Sequence, residues 1–292
     1  MKSKFKSTFS LTFLKVVPST LLLFIIFLSC ENSLKNTSAN TIKSISKEEK
    51  VEQKLNITYH FDSIPNDSSL KVFKNKYTLV EQKIIAATNR IDPTRFRTKT
   101  KLVVPDTLLS NFIEYSPFPI TLNIPDSVTK FILINQRIQL FAAYENGKLA
   151  QFGPVSTGRK KKPTPNGLFY TNYKSKKKRS TVDGAWIMPW YFNIANKDGI
   201  GMHQFSLPGY PASHSCIRMY EENAKWIYDW ANQWKISEDG NTILKKGTPV
   251  FIFGIYNFDQ IPDWKKLPEN PNAINLTEQE LAEIKDALSN IE

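Results

Sequence analysis

Apolar positions divide this chain into five stretches of different character. Residues 21–28 form an unbroken apolar run. Residues 31–68 are mostly Ser, Asn, Thr, Lys and Glu with few large apolar groups. Such a composition buries too little surface to offset the entropy of ordering, so it reads as a disordered tether. Between 69 and 110 apolar residues return at helical spacing, around Ile84-Ile85-Ala86-Ala87, and end in Leu102-Val103-Val104-Pro105. This predicts a small α/β module closed by a strand. Beyond Lys130 the runs become short and β-rich, at 131–135, 137–144, 148–156, 168–173, 185–194 and 249–256. Asn146-Gly147 between the second and third of them is a hairpin turn. One helix is predicted over 221–233, acidic in its first turn, with Ala224, Ile227, Trp230, Ala231 and Trp234 spaced to face a core. A polar tail over 257–292 contains the capping box Thr277-x-x-Glu280, which starts an amphipathic helix with Leu281, Ile284, Leu288 and Ile291 on one face. The expected class is mainly β with helices.

Length and composition fit that division: 292 residues, 41% hydrophobic and 12% aromatic, suit one main domain and a smaller companion. The N-terminus adds a destination. Lys2, Lys4, Lys6 and Lys15 precede the apolar run, which closes with Leu28-Ser29-Cys30. This is the layout of a secretion signal, and the run is too short to span a bilayer comfortably. It resembles a bacterial lipoprotein cleavage site, which implies a signal peptide over 1–30 and a lipid on Cys30. The chain is then expected in the periplasm, tethered to a membrane, the outer favoured over the inner. An uncleaved anchor helix is the alternative, and it too leaves the remainder outside the cytoplasm. The net charge of +12 falls to +8 without the four signal lysines, 35 basic residues facing 27 acidic ones. For an exported basic protein, nucleic acid is an unsuitable partner, whereas anionic wall peptides and headgroups are suitable ones. Much of the excess lies in 159–162 and 174–179, which read as exposed, solvated loops.

The chain has two cysteines, so lipidation of Cys30 leaves Cys216 a free thiol in an oxidising compartment. Two of the three histidines flank it, in Gly199-Ile200-Gly201-Met202-His203 and Ser213-His214-Ser215-Cys216-Ile217-Arg218. A thiol needs a base or a positive neighbour to become a nucleophile near neutral pH. His203 reaches Cys216 if the loop between them folds back, which its turns at Pro208-Gly209 and Tyr210-Pro211 permit. Backbone N–H groups of Ser215 and Cys216 in a tight turn can face a developing oxyanion. The imidazole also needs an orienting acceptor, either a carboxylate such as Asp183 or a backbone carbonyl. A metal site fits poorly, because no fourth ligand stands at helical or knuckle spacing. No metal or cofactor is therefore expected.

The ordered set from His203 through Leu207-Pro208-Gly209-Tyr210-Pro211-Ala212 to Ser213-His214-Ser215-Cys216-Ile217-Arg218 is similar to the signature of the L,D-transpeptidase catalytic domain, also called YkuD. Upstream, Gly153-Pro154-Val155-Ser156-Thr157-Gly158 and Pro163-Thr164-Pro165-Asn166-Gly167 resemble the family's strand, Thr-Gly turn and Thr-Pro segment. The likeness runs over 129–256. It implies a β-sandwich-like domain in which Cys216 attacks a peptidoglycan stem tetrapeptide at its third residue, with His203 as base, and D-alanine leaves. An amine acceptor then gives transpeptidation and water gives carboxypeptidase activity. The resemblance also implies that Ser213, His214, Ser215 and Arg218 shape the oxyanion and substrate site, and that carbapenems acylate the thiol. Ser215 stands where the family usually has glycine. If its φ is positive, serine costs about 1 kcal/mol there. Two rivals are a non-catalytic wall-binding lipoprotein and a papain-like peptidase, which normally places its cysteine before its histidine. Residues 77–105 resemble a degenerate LysM glycan-binding module that lacks a Gly-Asp turn, the alternative being a packing subdomain.

Overall fold

The computed structural model of the chain describes residues 56–180 and 183–291. The predicted signal peptide, Cys30 and residues 31–55 of the tether lie outside the described residues. Among the described residues, no helix is long and apolar enough to cross a membrane.

The N-terminal module starts earlier than its composition suggests. Strand β1 (Tyr59–Ile64) falls inside the stretch read as tether, and α1 (Asp67–Lys76) begins within it as well. The strand pairs antiparallel with β2 (Thr100–Pro105), from Tyr59 opposite Pro105 to Ile64 opposite Thr100. Its order thus depends on a partner some forty positions away, which a local reading of polar composition cannot register. Between the strands lie α1 and α2 (Leu79–Thr88). The side chain of Asn66 accepts from Ser69 N at 3.0 Å to cap α1, and Thr78 with Glu81 forms a capping box on α2. Ile64, Phe73, Ile85, Ala86, Leu102 and Val104 form the module's own core.

The larger part is one curled sheet whose halves share a core. Its strands are β3 (Lys130–Asn135), β4 (Leu140–Glu145), β5 (Lys148–Ser156), β6 (Gly167–Tyr170), β7 (Lys174–Arg179), β8 (Ile187–Ala195), β9 (Ile200–Gln204) and β10 (Ile217–Met219). After α3 (Glu221–Trp230), β11 (Lys235–Ile236) and β12 (Ile243–Lys245) form a separate hairpin, and β13 (Pro249–Phe253) rejoins the main sheet. The nine-stranded order is β6-β13-β3-β4-β5-β10-β9-β8-β7, with β13 parallel to β3, β10 parallel to β9 and the remaining pairs antiparallel. The unbroken apolar run of β3 follows from burial on both faces. Phe131 and Leu133 meet the core under the C-terminal tail, while Ile132 and Ile134 meet Phe192, Met202, Ile217 and the α3 residues Ala224 and Ile227. Asn146 and Gly147 take positive φ of 48° and 76°, the mirror-image turn expected of Asn-Gly.

Three local expectations change. Residues 174–179 are not a loop but β7, paired with β8 and lying at one edge of the sheet. A lysine-rich strand suits that place, because its charge discourages pairing with another chain. The helix from Glu221 ends at Trp230, where Ala231 turns extended (ψ 148°), so Trp234 packs outside it. In the last helix, α4 (Glu278–Ser289), Leu281 is exposed at 43%, and the buried face is Glu280, Ile284, Ala287 and Leu288.

Glu280 ties this tail to the sheet. It caps α4 with Thr277 and accepts Asn135 Nδ2 at 2.8 Å, Arg137 Nε at 2.8 Å and Arg137 Nη2 at 2.7 Å. Burial raises its pKa, but Arg137, the Thr277 N–H and Asn135 outweigh burial and hold it below the usual glutamate range. A carboxylate whose folded pKa is depressed contributes stability above the unfolded value and loses it as pH falls through the folded one. We therefore expect Glu280→Ala to lower the unfolding free energy by about 2–3 kcal/mol at pH 7, through an uncapped helix and an unpaired Arg137. The deficit should shrink below about pH 4, where the wild-type carboxyl protonates as well. Urea denaturation at the two pH values measures both.

Candidate active site

The site is built where β9 and β10 lie side by side. Their parallel register sets Ile217 against Met202 and Arg218 against His203. Aligned residues of parallel strands point to the same face, and side chains alternate along each strand. Met202, Ile217 and Met219 are at most 1% exposed and face the core. His203 and Arg218 take the other face, and Cys216, two residues before Arg218, is delivered to it as well.

The loop that joins the strands is pinned at several points. Ser156 Oγ donates to Tyr210 O at 2.8 Å and accepts from Ala212 N at 3.1 Å. Ser213 N donates to Thr157 O and Arg159 N to Ser213 O, both at 3.0 Å, so Gly158 and Ser213 form a β-bridge. Ser215 has φ 79°, the left-handed backbone for which its position favours glycine. The buried Thr164 holds that turn, accepting from Gly158 N and donating to Ser215 O, each at 2.8 Å. Ser213 Oγ donates to Cys216 O at 2.5 Å. Both carbonyls flanking the Cys216 Cα are therefore fixed. Since a trans peptide points its C=O and N–H in opposite directions, the Cys216 N–H is turned away from Thr164. A Cβ at Gly158 would come within 2.2 Å of Lys162 O, which explains the glycine in the Thr-Gly turn.

His203 is 4% exposed and its Nδ1 lies 2.9 Å from Gln204 O. A carbonyl only accepts, so Nδ1 carries the proton and Nε2 keeps a lone pair. The orienting group is this backbone carbonyl and not Asp183, whose carboxylate instead accepts from Ala185 N at 2.9 Å. Burial pushes the imidazole pKa down to about 4, so the ring is neutral at pH 7. Cys216 Sγ lies 3.8 Å from Gly199 O. Burial pushes the thiol up, while the Gly201 N–H and the charge of Arg218 oppose that. At rest the cleft therefore holds a protonated thiol and a neutral imidazole.

Cys216, His203, Ser213, His214 and Arg218 line one open cleft of about 580 Å³, with Trp186, Met188, Asp198, Gly199 and Phe205. Ser215 does not line it, and its hydroxyl donates to Lys162 O at 3.3 Å. Arg159 Nη2 approaches His214 Nε2 at 2.6 Å, and since a guanidinium only donates, His214 accepts there. Burial first, then Arg159, Arg218 and Lys162, hold His214 below the usual histidine range. Phe205 packs between the guanidinium of Arg218 at 4.5 Å and the ring of His203 at 6.1 Å, and Trp186 lies 5.6 Å from His214. Phe205, Trp186 and Asp198 were not singled out from sequence, because aromatic and charged residues at irregular spacing carry no local pattern, and Arg159 was read only as part of the exposed basic run 159–162. Thr164 and Gly158 stood in quoted segments, but their work on the turn emerges only in three dimensions. Among the described residues no group of three or more His, Cys, Asp or Glu side chains is placed to hold a metal ion.

Residues 129–252 match the family model described as the L,D-transpeptidase catalytic domain, YkuD. No curated protein matches the chain. Among solved structures, an L,D-transpeptidase from Stackebrandtia nassauensis is 20% identical over 46% of this chain and 60% of its own, with a TM-score of 0.37. An L,D-transpeptidase from Mycobacterium smegmatis is 20% identical over 43% of this chain and 59% of its own, with a TM-score of 0.34. A mutant L,D-transpeptidase from Enterococcus faecium is 21% identical over 54% of this chain and 57% of its own, also at 0.34. The chain thus spans about 60% of the length of the solved structures it matches. Residues 129–252, which bring Cys216 and His203 into one cleft, are thus the part of this chain that is similar to the L,D-transpeptidase catalytic domain, YkuD.

Proposed function

We propose that this protein is a cysteine-dependent acyltransferase acting on peptidoglycan stem peptides, with Cys216 as nucleophile and His203 as base. The observation that carries the reading is the hydrogen bond from His203 Nδ1 to Gln204 O, which leaves Nε2 free to accept a proton in the cleft that holds the thiol. Nε2 takes the Cys216 proton as sulfur attacks the carbonyl of the third residue of a tetrapeptide. The Cys216 N–H stabilises the oxyanion. As the tetrahedral species collapses, the C–N bond breaks and the imidazolium returns the proton to the departing amine of D-alanine. An amine then attacks the thioester, loses its proton to His203 and releases the thiol. Arg218 and His214 line the cleft, Arg159 bonds His214, and the charges of Arg159, Arg218 and Lys162 all act on that imidazole, a setting that suits anionic peptides.

We further propose that residues 1–30 are a signal peptide, that Cys30 carries the lipid, and that the domain works in the periplasm on a membrane tether, the outer membrane favoured. The support is the basic start, short apolar run and Ser29-Cys30 junction. Radiolabelled palmitate fed to expressing cells should enter the wild-type protein, and incorporation into Cys30→Ala would overturn the assignment.

With tetrapeptide muropeptides as substrate, mass spectrometry should show loss of D-alanine and formation of cross-linked dimers. Cys216→Ala should abolish both, and His203→Ala should slow them about 10²–10⁴-fold. Loss of D-alanine without dimers would assign water as acceptor. No Cys216-dependent product from folded, reduced protein would leave the wall-binding lipoprotein as the better reading.

The resting protonation state is open to a separate test. Because the thiol is raised and the imidazole is neutral down to about pH 4, alkylation of Cys216 by iodoacetamide should be slow at pH 7 and climb beyond the usual cysteine range. A plateau of rapid alkylation between pH 5 and 7 would instead reveal a thiolate-imidazolium pair.

A further inference from the structure

The connection between β9 and β10 is held from outside the catalytic domain. The N-terminal module reaches it with the turn that follows α2. Asn89 and Arg90 in that turn are 1% and 3% exposed. Arg90 donates to Ala87 O and Thr88 O at the end of α2, at 2.9 and 2.8 Å, and to Ile138 O of the catalytic domain at 2.9 Å. Asn89 Nδ2 donates to Ile85 O and Val103 O, and its Oδ1 accepts from Val103 N and Lys265 Nζ. The next residues are thereby presented on a rigid support. Asp92 Oδ2 accepts from Ser206 Oγ at 2.7 Å and from Leu207 N at 2.9 Å, and Asp92 N donates to Leu207 O at 3.1 Å. Arg95 Nε donates to Ser206 Oγ at 2.8 Å, Ile91 bridges Pro208, and Tyr220 OH donates to Ile91 O. Leu207, fully buried, closes the contact.

Ser206 and Leu207 directly follow Phe205, the ring that packs on both His203 and Arg218. At its other end the same loop carries Ser213, whose hydroxyl holds the Cys216 carbonyl. We propose that Asp92 is a positioning residue for the reaction. Its carboxylate fixes residues 205–213, and through them Phe205 and Ser213, so that the N-terminal module forms part of the framework of the site. The activity arm of this inference rests on the acyl-transfer reading above, and the structural arm does not.

The test compares the full chain with Asp92→Ala and Asp92→Asn, the second keeping a carbonyl acceptor at the same distance. Asp92→Ala should speed amide hydrogen exchange over 205–213 while β3 to β5 stay protected. Acylation of Cys216 by a carbapenem, a bulkier probe that must be held in the cleft to react, should slow by at least about tenfold. Alkylation by iodoacetamide, which needs only an ionised and accessible thiol, should not slow, and Asp92→Asn should recover most of the acylation rate. Unchanged loop exchange and acylation in Asp92→Ala would overturn the proposal. So would a loss equally deep in Asp92→Asn, or faster exchange throughout the chain, which would mark a general folding role. If the wild-type protein takes no acyl group at all, the acyl-transfer reading fails, and loop exchange alone still decides whether Asp92 holds the loop.

Discussion

Two neighbouring strands that run parallel, with only a loop between them, set the problem that the rest of this structure solves. Parallel neighbours need a connection of a dozen or more residues, usually with a helix packed on the sheet. Here residues 205–216 make the return alone, and the chain re-enters the sheet so that Arg218 pairs with His203. An unsupported loop of this length would sample many conformations, each displacing the thiol. The support comes from β5 through Ser156 and Thr157, from the turn at Gly158 through Thr164, and from the N-terminal module through Asp92. A side chain at Gly201 would meet Tyr191 at 2.6 Å, so the strand beside the cysteine cannot carry one.

Electrostatics follow from the same closure. Packing the loop over β9 removes water from His203 and Cys216, and desolvation disfavours the charged form of each. A neutral thiol and a neutral imidazole then coexist at rest, so in the proposed mechanism proton transfer accompanies attack instead of preceding it. Arg218 and the Gly201 N–H favour thiolate, though burial outweighs them in the free protein. The left-handed backbone at Ser215 belongs to this design: it costs about 1 kcal/mol with serine, and the bonds from Thr164 and Ser213 hold it in place.

How much of this was legible in the sequence depended on how far each feature's cause lies along the chain. The capping boxes at Thr78 and Thr277, the Asn146-Gly147 hairpin and the apolar strands have causes within a few residues, so pattern alone located them. That Cys216 and His203 belong to one site was legible because the signature packs them into sixteen consecutive positions, and the structure places both in one cleft. β1 was misread as tether because its partner is β2, and β7 was misread as a loop because lysines describe an edge strand equally well.

The sequence by itself determined the mainly β class and the unusual serine before the cysteine, because each is set by residue type at short range. Only the tertiary structure decided which group orients His203, that Thr164 and Ser213 hold the turn, and that Asp92 braces the loop from another module. Thr164 meets Ser215 from 51 positions away and Asp92 meets Leu207 from 115, while the bonds of Ser213 and His203 go to backbone carbonyls that any residue could supply. Such contacts arise from the closing of a sheet, and no local pattern of side chains encodes them.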